Sequence, residues 1–393
     1  MGAAEQTPAK PTYSIWQLAA YMLKLGAMGF GGPVALVGHM HRDLVDSRRW
    51  ISEEDYKEGL AFSQLAPGPL AAQLGIYLGL VHYRLLGATL AGIAFVIPSF
   101  LMVVALGWAY LHFGGLPWME AVFYGVGAAV IGIIAISAQK LTVKTVRRDK
   151  LLWAIYLLLA AVTAITESQT TSLFVIAGLL VWFVRAPPKW LGKNTLNSIT
   201  AMHLTLVSGW LRGLDGSLLA QIGAYFTKAG AFVFGSGLSI LPFLYGGLVT
   251  EHHWLTEKQF VDSVAVAMIT PGPVVITVGF IGYLIDGLAG AMVAAFAIFL
   301  PCFLITVIAA PYFKKYGKVP GMLAFVDGIT AAAIGAISGS VIVIARRSIV
   351  DLPTALIAAV TVLLLWKFKE LKEPMVVMAA AIVGFFVYPL VPH

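Results

Sequence analysis

Two proline-glycine-proline triplets, Pro67-Gly68-Pro69 and Pro271-Gly272-Pro273, are the residues of this chain best suited to chemistry through the backbone alone. A proline disfavours the α conformation in the residue before it, so a helix reaching either triplet stops near Ala66 or Thr270. Pro69 and Pro273 then suit the first position of a new helix, where a missing N–H costs nothing. The free N–H groups of that start, with the helix dipole behind them, form an anion site. Gln73 and Thr277 add matching polar side chains one turn in. A second pair of interruptions carries Gly31, Gly32 and Pro33 in the first half and Gly235, Ser236, Gly237 and the hydroxyl of Ser239 in the second. The plainer alternative is that these residues only permit kinks and close helix packing.

Charged residues within apolar segments are the second candidate set. Lys24 and Lys228 each precede a glycine break and are flanked by apolar helix, where a buried cation marks a functional site and two cations help neutralise a doubly negative ligand. Snorkelling to an interface or pairing with a carboxylate is the competing explanation. Glu58 and Asp262, each nine residues before a proline, could carry a coupling proton, and Asp327, which has no acidic counterpart, is a further candidate. His41 and Arg42, with His39 and Asp43, read as a solvated loop or an anion-attracting vestibule.

Such residues need an apolar scaffold, and composition supplies it. Of 393 residues 59% are hydrophobic and 11% charged, which excludes an ordinary soluble globule. Runs long enough to span about 30 Å of hydrocarbon cover 86–111, 121–139, 287–310 and 321–344. Shorter ones cover 151–165, 172–184, 353–368 and 374–387. They lack strand alternation and exceed strand length, so they are helices. The net charge of +7 fits basic loops between apolar segments better than nucleic-acid binding.

The two triplets belong to a repeat. Lys24, Gly26, Phe30, Gly31, Trp50, Glu53, Ala61, Pro67-Gly68-Pro69 and Gly75 recur 204 positions later, from Lys228 to Gly279. After a one-residue slip, Gly87-Ala88 matches Gly290-Ala291 and Ile131-Gly132 matches Ile334-Gly335. The halves span 12–186 and 215–390, with a polar tail at 1–11 and a connector at 187–214. Arg42, Arg48, Arg49 and Lys57 precede the first triplet, but only Lys258 occupies the corresponding loop before the second. The next loop reverses the bias, with Lys314, Lys315 and Lys318 in the second half alone. Opposite biases put equivalent loops on opposite sides of the membrane, so the repeat is read as inverted.

Ser52 with Asp55 and Thr256 with Gln259 read as helix caps, so helices start near Glu53 and Glu257. The apolar part of the first, 59–66, reaches about 12 Å, less than half a bilayer. Its successor either continues across or turns back as a re-entrant hairpin, and the basic run from Lys140 to Lys150 favours the hairpin. The expected fold is an all-α polytopic membrane protein, its two inverted-topology repeats having broken or re-entrant helices that meet near the membrane midplane. Its tail has no signal-peptide pattern, so no processing is expected. Cys302 has no intrachain disulfide partner, and no nucleotide loop, zinc-binding histidine pair or nucleophile elbow is found. No cofactor, metal site or enzymatic activity is expected.

Gly29-Phe30-Gly31-Gly32-Pro33, Met40-His41-Arg42-Asp43-Leu44-Val45, Arg48-Arg49-Trp50-Ile51-Ser52 and Gln64-Leu65-Ala66-Pro67-Gly68-Pro69 closely resemble the chromate ion transporter family. The second half resembles its C-terminal domain. The resemblance covers nearly the whole chain and implies secondary, chromate-exporting transport across the inner membrane, with sulfate as a competing or exchanged anion. Some members have a histidine three residues after the first motif's proline; this chain has Leu36. The expected partners are chromate, sulfate and membrane lipid, but not nucleic acid, and the sequence leaves a homodimer open. An anion channel or a sulfate or oxyanion uptake carrier uses the same site, whereas a membrane enzyme lacks a convergent nucleophile or metal cluster.

Overall fold

The computed structural model describes residues 12–29, 32–113, 117–166, 171–187, 217–231, 233–235, 240–316, 319–349, 351–368, 371 and 373–390. The first half runs α1 (Ile15–Met28), α2 (Gly32–Met40), α3 (Glu53–Leu65), α4 (Leu70–Phe113), α5 (Pro117–Val146), α6 (Lys150–Thr166) and α7 (Thr171–Arg185). The second runs α8 (Leu218–Ala231), α9 (Leu241–Tyr245), α10 (Glu257–Ile269), α11 (Thr277–Tyr316), α12 (Pro320–Ser348), α13 (Leu352–Lys367) and α14 (Glu373–Val387).

Four helices are long and apolar enough to cross a membrane: Leu70–Phe113, Glu120–Lys140, Val274–Phe313 and Pro320–Arg346. Four shorter apolar helices accompany them, Lys150–Thr166, Leu173–Arg185, Leu352–Lys367 and Glu373–Val387. Leu86, Ile165, Phe296 and Leu352 are among many large apolar side chains facing outward. Such surfaces need lipid as their solvent. The molecule is an all-α, multi-pass membrane protein.

Local sequence sets the helix ends. Ser52 Oγ accepts the Asp55 amide, and Thr256 forms a reciprocal capping box with Gln259, so α3 and α10 begin at Glu53 and Glu257. They end at Leu65 and Ile269, one residue before the expected Ala66 and Thr270, which are extended.

Beyond the breaks the chain doubles back twice. A Cβ on Gly59 would lie 2.4 Å from the Tyr77 ring and 3.1 Å from Leu74, so α3 and the opening arm of α4 lie side by side as a hairpin. At Arg84 (φ 50, ψ −142) α4 reverses, and beyond it a Cβ on Gly87 would meet the Gly79 carbonyl oxygen at 2.2 Å. Eight residues of straight helix would separate those glycines by about 12 Å. In the second half the reversal falls at Asp286-Gly287 (φ 56 at Gly287), and a Cβ on Gly290 would lie 2.3 Å from the Gly282 oxygen.

The halves interlock. α5 packs on α13 and α14, while α12 packs on α6 and α7. Close glycine approaches allow this: a Cβ on Gly125 would lie 2.0 Å from the Ala380 oxygen, and one on Gly328 would lie 2.5 Å from the Ala177 oxygen. Along α4, Ser99, Val103 and Gly107 lie against Gly272, Gly279 and Tyr283 in that order. Because 277–285 folds back on the rest of α11, the long arms of α4 and α11 run antiparallel.

Three expectations need correction. Pro69 and Pro273 do not open helices: Pro69 is extended, in the strand Gly68–Pro69, and Pro273 (φ −73, ψ 123) precedes a short 3-10 turn, Val274–Ile276. Their extended backbones let each triplet reach the opposite half. The segment holding His41 and Arg42 is helical, a π turn (His41–Ser47) continuing α2, instead of a loop. Asp327 is not isolated in apolar surroundings, since Arg185 Nη1 contacts its Oδ2 at 2.8 Å and also pairs with Asp149.

Candidate functional site

The four breaks meet as two crossed pairs. Gly68 and Pro69 form a two-residue parallel ladder with Phe234 and Gly235, and the Gly68 amide donates to the Val233 oxygen at 2.6 Å. Reciprocally, the Gly272 amide donates to the Gly29 oxygen at 3.0 Å. Gly29 and Val233 stand 204 positions apart, as do Gly68 and Gly272. Each triplet therefore hydrogen-bonds to the other half's break. The amide of Gly68 (φ +148) and of Gly272 (φ +97) can reach its partner because these conformations are open to glycine.

A side chain of the opposite half covers each triplet. A Cβ on Gly68 would lie 2.8 Å from Cys302 Sγ and 3.0 Å from Gln73 Oε1, and one on Gly272 would lie 1.9 Å from Ser99 Oγ. Ser99 and Cys302, both buried, follow Pro98 and Pro301 in the two crossing arms. Sequence reasoning missed Ser99, and it used Cys302 only to exclude a disulfide. Following the repeat past its slip to a spacing of 203 would have paired them.

The expected residues are distributed as follows. Gln73 is fully buried at the first turn of α4, where its Nε2 donates to the Pro67 oxygen at 3.3 Å. Thr277, also buried, donates to the Val274 oxygen at 2.6 Å. Gly68, Pro69, Pro271, Gly272 and Pro273 are buried, and Pro67 is half-buried. Gly32 and Pro33 begin α2. Gly235 belongs to the ladder, whereas Gly31, Ser236, Gly237 and Ser239 lie outside the described residues. Lys228 is half-buried on α8, but Lys24 is exposed on α1, in contrast to the buried cation expected.

The acids take tyrosine partners that sequence reasoning missed. Asp262 is 2% exposed, and its Oδ2 accepts the Tyr110 hydroxyl at 2.7 Å. Half-buried Glu58 is hydrogen-bonded to Tyr77. His41 is held by Glu53 at 2.9 Å and by Asp46 at 3.3 Å, while Arg42 meets His39. Lys57 and His41 together hold the exposed Glu53 carboxyl below its ordinary value. No group of three or more metal-ligating side chains occurs among the described residues.

A surface cavity of about 580 Å³ lies elsewhere, lined by Thr250, His253, Trp254, Glu257 and Gln259 at the start of α10. At the matching corner of the first half, Tyr13 stacks on Trp50 at 4.8 Å. Its repeat counterpart is Ser217, which lacks a ring.

Interlocked apolar helices with paired helix breaks at their interface define a multi-pass membrane protein. The chain belongs to the chromate transporter family, whose profile matches residues 16–184 and 220–385. It is 69% identical over 391 residues to a chromate transport protein of Cupriavidus metallidurans, covering 100% of this chain and 98% of that one. It is 60% identical over 376 residues to a probable chromate transport protein of Synechococcus elongatus, covering 95% and 96%, and 32% identical over 396 residues to a chromate transport protein of Pseudomonas aeruginosa, covering 96% and 94%. No solved structure matches the chain.

Proposed function

We propose that the chain is a secondary transporter that exports chromate across the inner membrane, in exchange for sulfate or coupled to protons. The observation that carries this reading is the crossed pair of hydrogen bonds, Gly68 to Val233 and Gly272 to Gly29. It ties the broken segments of both halves into one interface, as expected where two inverted repeats, 12–186 and 215–390, rock about a shared site. The antiparallel long arms of α4 and α11 and the exchanged packing of α5 and α12 support the same symmetry.

In this reading the anion lies at the triplets. Helix-start amides supply donors without desolvating a formal charge, and Lys228 contributes charge from the flank of α8. Asp262 and Glu58 are the coupling candidates. Asp327 is not, because its pairing with Arg185 already explains its presence. The membrane interface offers His41 and Arg42 as a vestibule.

Purified protein in liposomes tests the reading. Internal sulfate or a proton gradient should drive chromate movement, and chromate and sulfate should compete. Electrogenic flux that persists without any anion on the far side would identify a channel. Sulfate accumulation with no chromate movement would identify an uptake carrier.

A further inference from the structure

The two triplets are equivalent in sequence but differ in hydrogen bonding. At the second, the described polar side chains that close it are satisfied: Ser99 Oγ donates to the Gly26 oxygen at 3.1 Å and Thr277 Oγ1 to the Val274 oxygen at 2.6 Å. Its 3-10 turn also consumes amides at once, with the Ile276 N–H on the Pro273 oxygen at 2.9 Å and the Thr277 N–H shared by Val274 and Val275. At the first, α4 starts directly at Leu70, and the early amides of an α-helix have no acceptor within it. Among the described residues, Gln73 Oε1 is buried there without a hydrogen-bond partner.

An unpaired buried acceptor costs about 1–3 kcal/mol, so a fully buried one beside free helix-start amides points to a ligand. Gln73 Oε1 and Cys302 Sγ both border Gly68, within 3.0 Å and 2.8 Å of where its Cβ would be. They come from opposite halves. Resting on the oxyanion-transport reading above, we propose that the oxyanion is held asymmetrically, at the first triplet, between the opening turn of α4, Gln73 and the Cys302 thiol. Oxyanion oxygens accept from the Ala71 and Ala72 amides and from the weak S–H donor. The hydroxyl of a singly protonated oxyanion, or a water that a dianion retains, donates to Gln73 Oε1. The second triplet, closed by Ser99 and Thr277, serves as the symmetric hinge.

Cys302 is the single cysteine of the chain, so the natural protein reports on its own site. Full-length protein in liposomes is treated with methyl methanethiosulfonate during transport, with chromate, sulfate or chloride present. Mass spectrometry then separates free, modified and oxidised thiol. Chromate should slow modification of Cys302 at least about fivefold while chloride does not, and Gln73→Ala should need roughly tenfold more chromate for the same protection, the range expected for a hydrogen bond to a charged ligand. Protection by sulfate alone would identify the anion as sulfate. In a Cys302→Ser, Ser99→Cys protein, the thiol at 99 should be indifferent to chromate.

Equal protection at 99 and 302 would overturn the asymmetry, since a general closure shields both. A Cys302 that stays unreactive throughout turnover, or Gln73→Ala protein with unchanged chromate affinity, would overturn the placement. Absence of any chromate or sulfate movement by wild-type protein would instead defeat the transport reading on which the placement rests.

Discussion

Glu58 and Asp262 hold the same place in the two halves, each on the descending helix of a hairpin, yet their tyrosines come from different halves. Tyr77 belongs to the first half's own hairpin, and its counterpart 203 positions later is Phe280. Tyr110 lies on the crossing arm of the first half but serves Asp262 of the second, and its counterpart is Phe313, stacked edge-on to Phe62 at 5.3 Å. Each acid keeps one hydroxyl donor. The Glu58 bond is internal to one hairpin, while the Asp262 bond spans the interface between halves. A relative movement of the halves leaves the first intact and must break or reshape the second.

The backbone contrast gives the largest expected effect. Gly272 combines φ +97 with a Cβ position 1.9 Å from Ser99 Oγ, whereas Gly68 has φ +148 and 2.8 Å to Cys302 Sγ. Unfavourable backbone and overpacking together put Gly272→Ala at roughly 3–5 kcal/mol and Gly68→Ala somewhat lower, about 2–4 kcal/mol. Thermal unfolding in detergent should show that order. Adding Ser99→Ala should recover part of the Gly272→Ala loss, and its failure to do so would remove the steric account of the second triplet.

The acids come next. Asp262→Asn should reduce pH-gradient-driven transport by about tenfold or more while leaving anion exchange close to normal, and Glu58→Gln should alter neither by more than about twofold. Tyr110→Phe removes the hydroxyl donor of a buried carboxylate, at about 1–3 kcal/mol. Loss of that bond disfavours the ionised acid, so the pH profile of transport should move to higher pH. Tyr77→Phe should leave the profile in place. An equal shift from both tyrosine variants would mean that the bond across the interface has no special role.

A smaller contrast separates the lysines. Lys228 is half-buried and Lys24 faces outward, so Lys228→Ala should weaken chromate affinity several-fold and Lys24→Ala by less than about twofold, because an outward-facing side chain lies off the packed interior. Chromate-dependent protection or transport titrations would read both. A stronger effect at Lys24 would restore the symmetric role that the repeat suggests.

Much of this was legible because it is local. Caps at Ser52 and Thr256 and stops before Pro67 and Pro271 depend on neighbours within a turn, so sequence placed them to within a residue, whereas apolar runs undershot helix ends, as in α5 (Pro117–Val146 against 121–139). The tyrosines, Ser99 and the contact of Cys302 with Gly68 depend on which helices of opposite halves meet, which no local pattern encodes. Lys24 shows the same limit. Apolar flanks put it in a helix, but its facing, one position from buried Leu25, depended on packing.

Asp327 shows how a lone acid can mislead. At a spacing of 203 its counterpart is Tyr124, and that of Arg185 is Tyr388; the rings of these tyrosines lie 5.3 Å apart. The first-half capping aspartate, Asp149, joins an ionic triad with Arg185 and Asp327, whereas Asp351 caps α13 and accepts the Tyr124 hydroxyl at 2.5 Å. One corner is tied by an ionic triad; at its counterpart Tyr124 and Tyr388 donate to Asp351 and Glu120, and Glu120 is also paired with Lys258. Asp149 is held below its ordinary value first by the Leu152 amide and then, against some desolvation, by Arg185. A depressed folded-state value means stability that is complete above the ordinary carboxylate range and lost as pH falls below it. Arg185→Met should therefore cost about 0.5–1 kcal/mol near neutrality, the scale of a partly exposed ion pair, and much less in acid. High salt should shrink that cost, while Tyr124→Phe should show a salt-independent loss. Asp327→Asn should lower stability without changing the proton dependence of transport; a change would return Asp327 to the coupling candidates.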